Sequence, residues 1–328
     1  MILSIISTFL PSFLSVPLYK LRGYKIGQNS KIRFGSFIIS KKIELGDNAS
    51  IGPFAFIKSK ALVIGDYSSI RPLVFIKANN VSLAQYVQIG GPTVISGDDT
   101  PNSRLEIGDH SRILPLCWMD PGEGIFIGKQ TGVGGGNMFF THGYWTSYLK
   151  RGPHSLGPII IGDYVHIGWR SFFMPNVTVE NNTIIGANTV VTKSIEENSL
   201  FCGIPGKLIK KLDRSPLTLE ELNSKMSEIL ISTLEFAEYK QFNTKLIDSQ
   251  TIQLNEITIS TNKDSIKTNN DILLLFSTLY NNKEELLNNT QNNIIDLDDY
   301  IAFIRHGNKE FLFIITHLRK FGIRLYLK

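Results

Sequence analysis

A six-residue pattern recurs along much of the chain. An aliphatic residue, usually followed by Gly, precedes a short polar run and a second aliphatic residue. It is visible in "YKIGQNSKI", "IELGDNASIG", "LVIGDYSSI", "LEIGDHSRI", "IFIGKQTGV" and "IIIGDYVHIG". A longer period overlies it. The leading aliphatics are Ile26, Leu45, Ile64, Leu83, Ile107, Ile127, Ile161 and Val179, at steps of 19, 19, 19, 24, 20, 34 and 18. Three hexapeptides make one triangular coil of 18 residues, so the steps of 24 and 34 carry insertions of 6 and 16 residues. The period matches neither the 3.6 of a helix nor the alternation of an ordinary strand.

Such a repeat constrains the fold severely. One aliphatic side chain per hexapeptide points inward, and stacked coils join these into an apolar column that no coil could bury alone. Gly after the aliphatic lets the chain turn without interference from a Cβ. The expected fold class is an all-β solenoid, a parallel β-helix of hexapeptide repeats. Handedness does not follow from spacing, because crossover connections are normally right-handed.

The last coils, "IGDYVHIGWRSFFMPNVTVENNTIIGANTVVTKSIEENSLFCGIPGKLIKKL", carry a resemblance. They are similar to the closing coils of the hexapeptide-repeat acyltransferases, with "PGV" replaced by Pro175-Asn176-Val177 and "PAK" by Pro205-Gly206-Lys207. The resemblance spans residues 25–212 and is nearest to the sugar O-acetyltransferase branch. It implies a left-handed β-helix and an acyl-CoA donor. Residues 1–24 then form an apolar N-terminal helical segment. Residues 213–328 form a C-terminal helix plus a small α+β appendage.

The 16-residue insertion opens at Thr141-His142 within "GVGGGNMFFTHGYW". The family keeps its catalytic histidine where a coil opens into a loop, so the resemblance marks His142 of Thr141-His142. Acyl transfer to a sugar hydroxyl requires a base that removes the proton during attack, and an imidazole suits that task. Asp120 and Glu123, about one coil upstream in "CWMDPGEG", are both candidates to orient the ring. The Gly-rich run ending at Asn137 leaves room for acceptor. Tyr144, Trp145 and Tyr148 can stack on a sugar or wall off the thioester, or pack on a neighbouring subunit. His154 stands where the maltose-type branch carries an acidic residue, which puts the details of acceptor binding in doubt.

By the same resemblance Gly168, Trp169, Ala187, Thr192 and Lys193 line the groove for acetyl-CoA, and Lys207 and Lys210 meet its phosphates. The family also implies a homotrimer with the donor between adjacent helices. The expected function is O-acetyl transfer from acetyl-CoA to a sugar hydroxyl in bacterial cell-surface polysaccharide biosynthesis. An N-acetyltransferase acting on an amino-sugar nucleotide is the enzymatic alternative. A zinc-dependent carbonic-anhydrase-like protein is the alternative of another class. Three imidazoles would be needed there, and His110, His142, His154 and His166 lie in the right region. The anhydrase pattern needs a second His five residues after the first, and Ser147 stands there. No metal is expected.

The rest of the chain is less informative. With 42% hydrophobic and 19% charged residues it can build a core. A net charge of +5 without a basic stripe gives no nucleic-acid signature. Cys117 and Cys202 make no metal or redox motif, consistent with a reducing, cytoplasmic setting. The first 19 residues are uncharged, and Lys20, Arg22 and Lys25 follow. Pro11, Pro17 and several serines make a poor membrane span. The segment is either an interfacial helix touching the inner face of the membrane or a cap on the apolar column. Beyond Leu212 the hexapeptide rhythm stops. Residues 218–240 have helical spacing, "TIQLNEITIS" looks like strand, and "DILLLFSTLY" and the closing "YIAFIRHGNKEFLFIITHLRKFGIRLYLK" look helical. His306 and His317 are expected to be ordinary surface or core groups.

Overall fold

The computed structural model describes residues 7–144, 146–262, 265, 271–275, 292–297, 300–303, 305 and 309–327. The chain divides into two compact units, Met1–Arg214 and Ser215–Lys328.

The first unit is a left-handed parallel β-helix of hexapeptide repeats. Each coil contributes one short strand to each of three parallel sheets. The first sheet has eight strands, from Lys25–Ile26 to Val177–Val179. The second has ten, from Lys31–Ile32 onward, and ends in the antiparallel hairpin Ser199–Gly203 and Gly206–Lys211. The third has eight, from Phe37–Ile39 to Val190–Val191. The leading aliphatics stack in register in the first sheet. Ile32, Ile51, Ile70, Ile89 and Ile113 do so in the second, and Ile38, Ile57, Ile76, Ile95, Met119, Phe139 and Phe173 in the third. All belong to one buried core. Each such side chain contributes about 1.5–3 kcal/mol on leaving water.

The corner between the first and second sheets is highly regular. Three residues after each leading aliphatic, a residue takes a left-handed backbone conformation: Asn29, Asn48, Tyr67, Tyr86, His110, Gln130, Tyr164 and Asn182, with φ of 56–58°. The recurring "GD" is explained at the same corner. Oδ1 of Asp47 accepts from Gln28 N of the preceding coil (2.6 Å), and Asp66, Asp109 and Asp163 do the same for Asp47, Gln85 and Lys129.

The outward faces differ. On the second sheet Lys31, Ser50, Ser69, Gln88 and Arg112 form a mostly polar column. On the third, every position of one column is apolar: Phe37, Phe56, Phe75, Val94, Trp118, Met138, Phe172 and Val190. Phe56 and Phe75 are stacked at 4.8 Å, and Trp118 and Met138 are about half exposed.

At the N-terminus, helix Ser12–Leu21 closes the open end of the column. Tyr19 is buried in the core and receives a hydrogen bond from Ser7 Oγ (3.2 Å). Ser12 Oγ accepts from Ile32 N, and Ser15 Oγ donates to Ile32 O, both at 3.1 Å. The helix is therefore a cap, although Phe9, Phe13 and Leu21 remain exposed. No helix among the described residues is long and apolar enough to cross a membrane.

The second unit has its own core. Helix Leu219–Tyr239 begins with a capping box between Thr218 and Glu221. A seven-stranded mixed sheet follows, with helix Lys309–Leu318 before its last strand. Two expectations are corrected: Ile272–Leu275 is a strand between Ile257–Ser260 and Asn293–Asp296, not helix, and the closing segment holds strands Ile301–Phe303 and Tyr326–Leu327 on either side of helix Lys309–Leu318. The buried Ile272, Leu273 and Leu274 fit the middle of a sheet, where burial on both faces removes the alternation that would have announced a strand. His317 is buried, with Nε2 3.4 Å from Ser232 Oγ, and burial lowers its pKa. His306 lies outside the described residues.

Candidate active site

The corner between the third and first sheets is where coils lengthen. It holds residues 40–41, 59–60 and 78–79 in the first three coils, 97–103 in the fourth, and the long excursion 141–158 in the sixth. Strand Trp118–Asp120 of the third sheet pairs in parallel with Met138–Phe140. Asp120 thus ends its strand one coil below the point where the chain leaves the sheet and enters the loop. His142 and Gly143 pair antiparallel with Leu156 and Ser155, which holds the mouth of that loop together.

Nδ1 of His142 faces Oδ2 of Asp120 within hydrogen-bonding reach. The carboxyl is buried, at 3% exposure, while His142 is half-buried. Oδ1 of Asp120 accepts from Gly122 N (2.9 Å). Thr141, itself fully buried, donates from Oγ1 to Asp120 O (2.9 Å) and accepts from Glu123 N (3.0 Å). Burial raises the pKa of Asp120, opposed by the Gly122 N–H and by His142. Glu123 turns instead to Asn102, accepting from its Nδ2 at 2.8 Å. Of the two acids, Asp120 is the one placed on the imidazole.

Tyr144 stacks on the His142 ring at 4.6 Å and donates its hydroxyl to Asp98 of the fourth-coil loop. That bond pushes the phenol pKa up to about 12. His154 and Tyr148 extend the cluster, at 5.9 Å from Tyr144 to His154 and 5.7 Å from His154 to Tyr148. Trp145 lies outside the described residues.

Asn137 is a correction. It is fully buried at the corner between the second and third sheets. Its Nδ2 donates to Gly134 O (2.6 Å) and Gly168 O (2.9 Å), and its Oδ1 accepts from Ser171 N (2.8 Å). It ties coils together and does not face an acceptor. Gly168, Trp169 and Ala187 occupy that same corner in the next two coils. Trp169 is half exposed and its ring lies against Gly135. Thr192 and Lys193 are exposed at the His142 corner, two coils beyond it, and Lys207 and Lys210 are exposed on the terminal hairpin. In one chain Gly168, Trp169 and Ala187 therefore sit at one edge of the third sheet, Thr192 and Lys193 at the other, and Lys207 and Lys210 on the hairpin that ends the second sheet, rather than in one groove.

The four imidazoles near this region are not gathered. His110 stacks on Tyr86 at 4.6 Å at the regular corner, and His166 is exposed on the second sheet. Among the described residues no group of three or more His, Cys, Asp or Glu is placed to hold a metal. Asp98 was not singled out from sequence. Its only sequence signal is the six-residue excess in its coil.

Residues 157–193, the coils just after the loop, match the family "Bacterial transferase hexapeptide (six repeats)". The match covers 37 of the 328 residues. This hexapeptide-repeat chain is 40% identical over 122 residues to a protein of Escherichia coli (strain K12) named for lipopolysaccharide biosynthesis O-acetyl transfer. The match covers 34% of the chain and 59% of that protein. It is 38% identical over 64 residues to the galactoside O-acetyltransferase of the same strain, covering 20% and 32%. The chain thus spans less than two thirds of the length of these curated relatives. Among solved structures it is similar to a maltose O-acetyltransferase from Clostridium difficile 630, with TM-score 0.33, 24% identity and coverage of 42% and 70%.

Proposed function

We propose that the hexapeptide-repeat unit transfers an acetyl group from acetyl-CoA to a sugar hydroxyl, with His142 as general base. The observation that carries the reading is the buried Asp120 carboxylate on Nδ1 of His142 at the coil break. Pairing through Nδ1 fixes the tautomer and directs Nε2 away from Asp120. Nε2 then takes the proton of the acceptor hydroxyl as its oxygen attacks the thioester carbonyl. Asp120 stabilises the imidazolium that forms, as in other paired imidazole bases. The same imidazolium returns the proton to the departing thiolate, so the products are an acetyl ester and free CoA. Tyr144, stacked on the ring and anchored by Asp98, offers a face against which a sugar can lie.

Lys193, Lys207 and Lys210 would supply cations for the donor phosphates, with Thr192 and the corner of Gly168, Trp169 and Ala187 along its length. These residues occupy separate places in one chain. The proposal therefore includes a homotrimer in which one copy's Trp169 corner lies beside the next copy's His142 corner. The apolar outward column of the third sheet favours association through that face. An acceptor for cell-surface polysaccharide, met in the cytoplasm, belongs to the same reading.

The test is incubation of the purified protein with acetyl-CoA and a panel of sugars, followed by mass spectrometry. A product that gains one acetyl group and loses it in mild base is an ester and supports O-transfer. A base-stable product is an amide and supports N-transfer. No acetylated product across both sugar and amino-sugar acceptors defeats the reading.

A further inference from the structure

A cavity of about 430 Å³ runs along the corner that bears His142, across the first four coils. That volume lies within the ordinary range of ligand sites. Five cations line it: Arg22 at the end of the N-terminal helix, Lys41 in the first coil, Lys58 and Lys60 in the second, and Lys77 in the third. Two acids, Asp98 and Asp99 of the fourth coil, complete the charged lining. Lys60 Nζ is 3.7 Å from Asp99, and Asp98 is engaged by Tyr144. Cations therefore outnumber acids five to two.

The cavity ends beside the catalytic pair. Gly97 forms part of its wall, and a Cβ there would collide with Oδ1 of Asp120. Asp98 lines the cavity and holds the tyrosine that stacks on His142. Register makes the alignment strict: Lys58 and Lys77 are direct neighbours on adjacent strands, so their side chains leave the same edge.

We infer that this edge binds the acceptor, and that the acceptor is an anionic oligosaccharide or polysaccharide carrying carboxylate or phosphate groups along its length. The inference rests on the acetyl-transfer reading for the identity of the reacting end. Coils stack at about 4.8 Å, so Lys77 lies about 14 Å and Lys41 about 24 Å from the level of His142. An activated monosaccharide carries its diphosphate directly on the reacting ring and leaves the far cations unused. A chain with repeated charge meets Lys77, Lys58, Lys60 and Lys41 in turn while one of its sugars lies against Tyr144. The cations then select by charge along the polymer, and the aromatic platform selects by shape at the reacting unit.

The test is direct binding to the full-length protein at low salt. The probes are a galacturonic acid hexamer, a poly(glycerol phosphate) oligomer of similar length, maltohexaose and UDP-N-acetylglucosamine. At least one anionic oligomer should bind about tenfold or more tightly than maltohexaose. That preference should weaken with salt and vanish in K58E/K77E, whose fold is checked by circular dichroism. The carboxylate and phosphodiester arms show which charge the edge favours. Equal binding of charged and neutral oligomers, or a preference untouched by K58E/K77E, overturns the inference. Binding of UDP-N-acetylglucosamine that is as tight and equally lost in K58E/K77E overturns it in favour of a diphosphate site. H142A separates the two readings. It should retain anionic binding, so binding without transfer by the wild type defeats only the acetyl-transfer reading. Transfer without charge preference defeats only this one.

Discussion

Two corners of the same solenoid, built under the same stacking rule, hold two histidines in different circumstances. At the regular corner His110 occupies the left-handed position of its coil and stacks on Tyr86 at 4.6 Å. At the lengthened corner His142 stacks on Tyr144 at the same 4.6 Å. The ring contacts are alike; the surroundings are not. The regular corner gives its polar groups to the coils above and below, through the Asp47, Asp66, Asp109 and Asp163 carboxylates and the buried Ser and Thr hydroxyls. At the lengthened corner the loop carries the chain away from the stack, and a buried carboxylate is left to pair with an imidazole instead of a backbone N–H of the coil below. A repeat that spends its polar groups on its own register has little left for chemistry. Reactivity requires a place where the register lapses.

The sharpest way to break this contrast is to remove each histidine. H142A should lower kcat by about 10²–10⁴-fold, measured as CoA release with the best acceptor. H110A should keep turnover within about threefold and lose about 1–2 kcal/mol of stability in urea unfolding. Equal loss of turnover in both variants would erase the distinction between the corners.

The next effect concerns the column beneath the site. Phe139 is fully buried and stacks on Phe173 at 4.5 Å. F139A should cost about 3–5 kcal/mol of unfolding free energy and lower the melting temperature. Turnover per folded molecule should stay near that of the wild type at low temperature. Full loss of activity in a folded F139A protein would mean that the column acts on chemistry directly.

D120N should reduce kcat by about 10–10²-fold with little change in acetyl-CoA affinity, because it keeps the shape but removes the charge that holds the imidazolium. It also has a pH signature. Burial raises the Asp120 pKa in the folded state, so the native protein holds this proton more tightly than the unfolded chain does. The wild type therefore loses stability as pH rises through the folded pKa. The melting temperature of D120N relative to the wild type should rise as pH increases from about 4, the unperturbed carboxyl range, and then level off. A relative decline over that interval would show that the attraction of His142 outweighs the cost of burial.

Y144F is the mildest change. It keeps the ring over His142 and deletes the hydroxyl bond to Asp98. It should raise the acceptor KM by about two- to tenfold, the net worth of one ordinary hydrogen bond, with kcat nearly unchanged. A larger fall in kcat than rise in KM would move Tyr144 from the platform into the proton-transfer machinery.

Much of this protein was determined by its sequence alone. A six-residue period has one economical solution, a coil with its aliphatics inward, and the steps of 24 and 34 mark the fourth and sixth coils as the ones that open. His142 at the opening follows from the family resemblance. Tertiary structure decided what a period cannot encode. Spacing assigns a residue to a coil level, yet it does not say which way the side chain turns or which loop crosses to meet it. Asp120 and Glu123 were equal candidates by level, and strand pairing aimed one at the ring and left the other in the turn with Asn102. Asn137 was at the right level but points into the stack, where Gly134, Gly168 and Ser171 use all of its amide. The contact between Asp98 and Tyr144 joins two loops 46 residues apart. The second unit lacks any repeat, so its strand Ile272–Leu275 showed only as an apolar run. Such a run fits a buried helix as well as a central strand until its neighbours are in place.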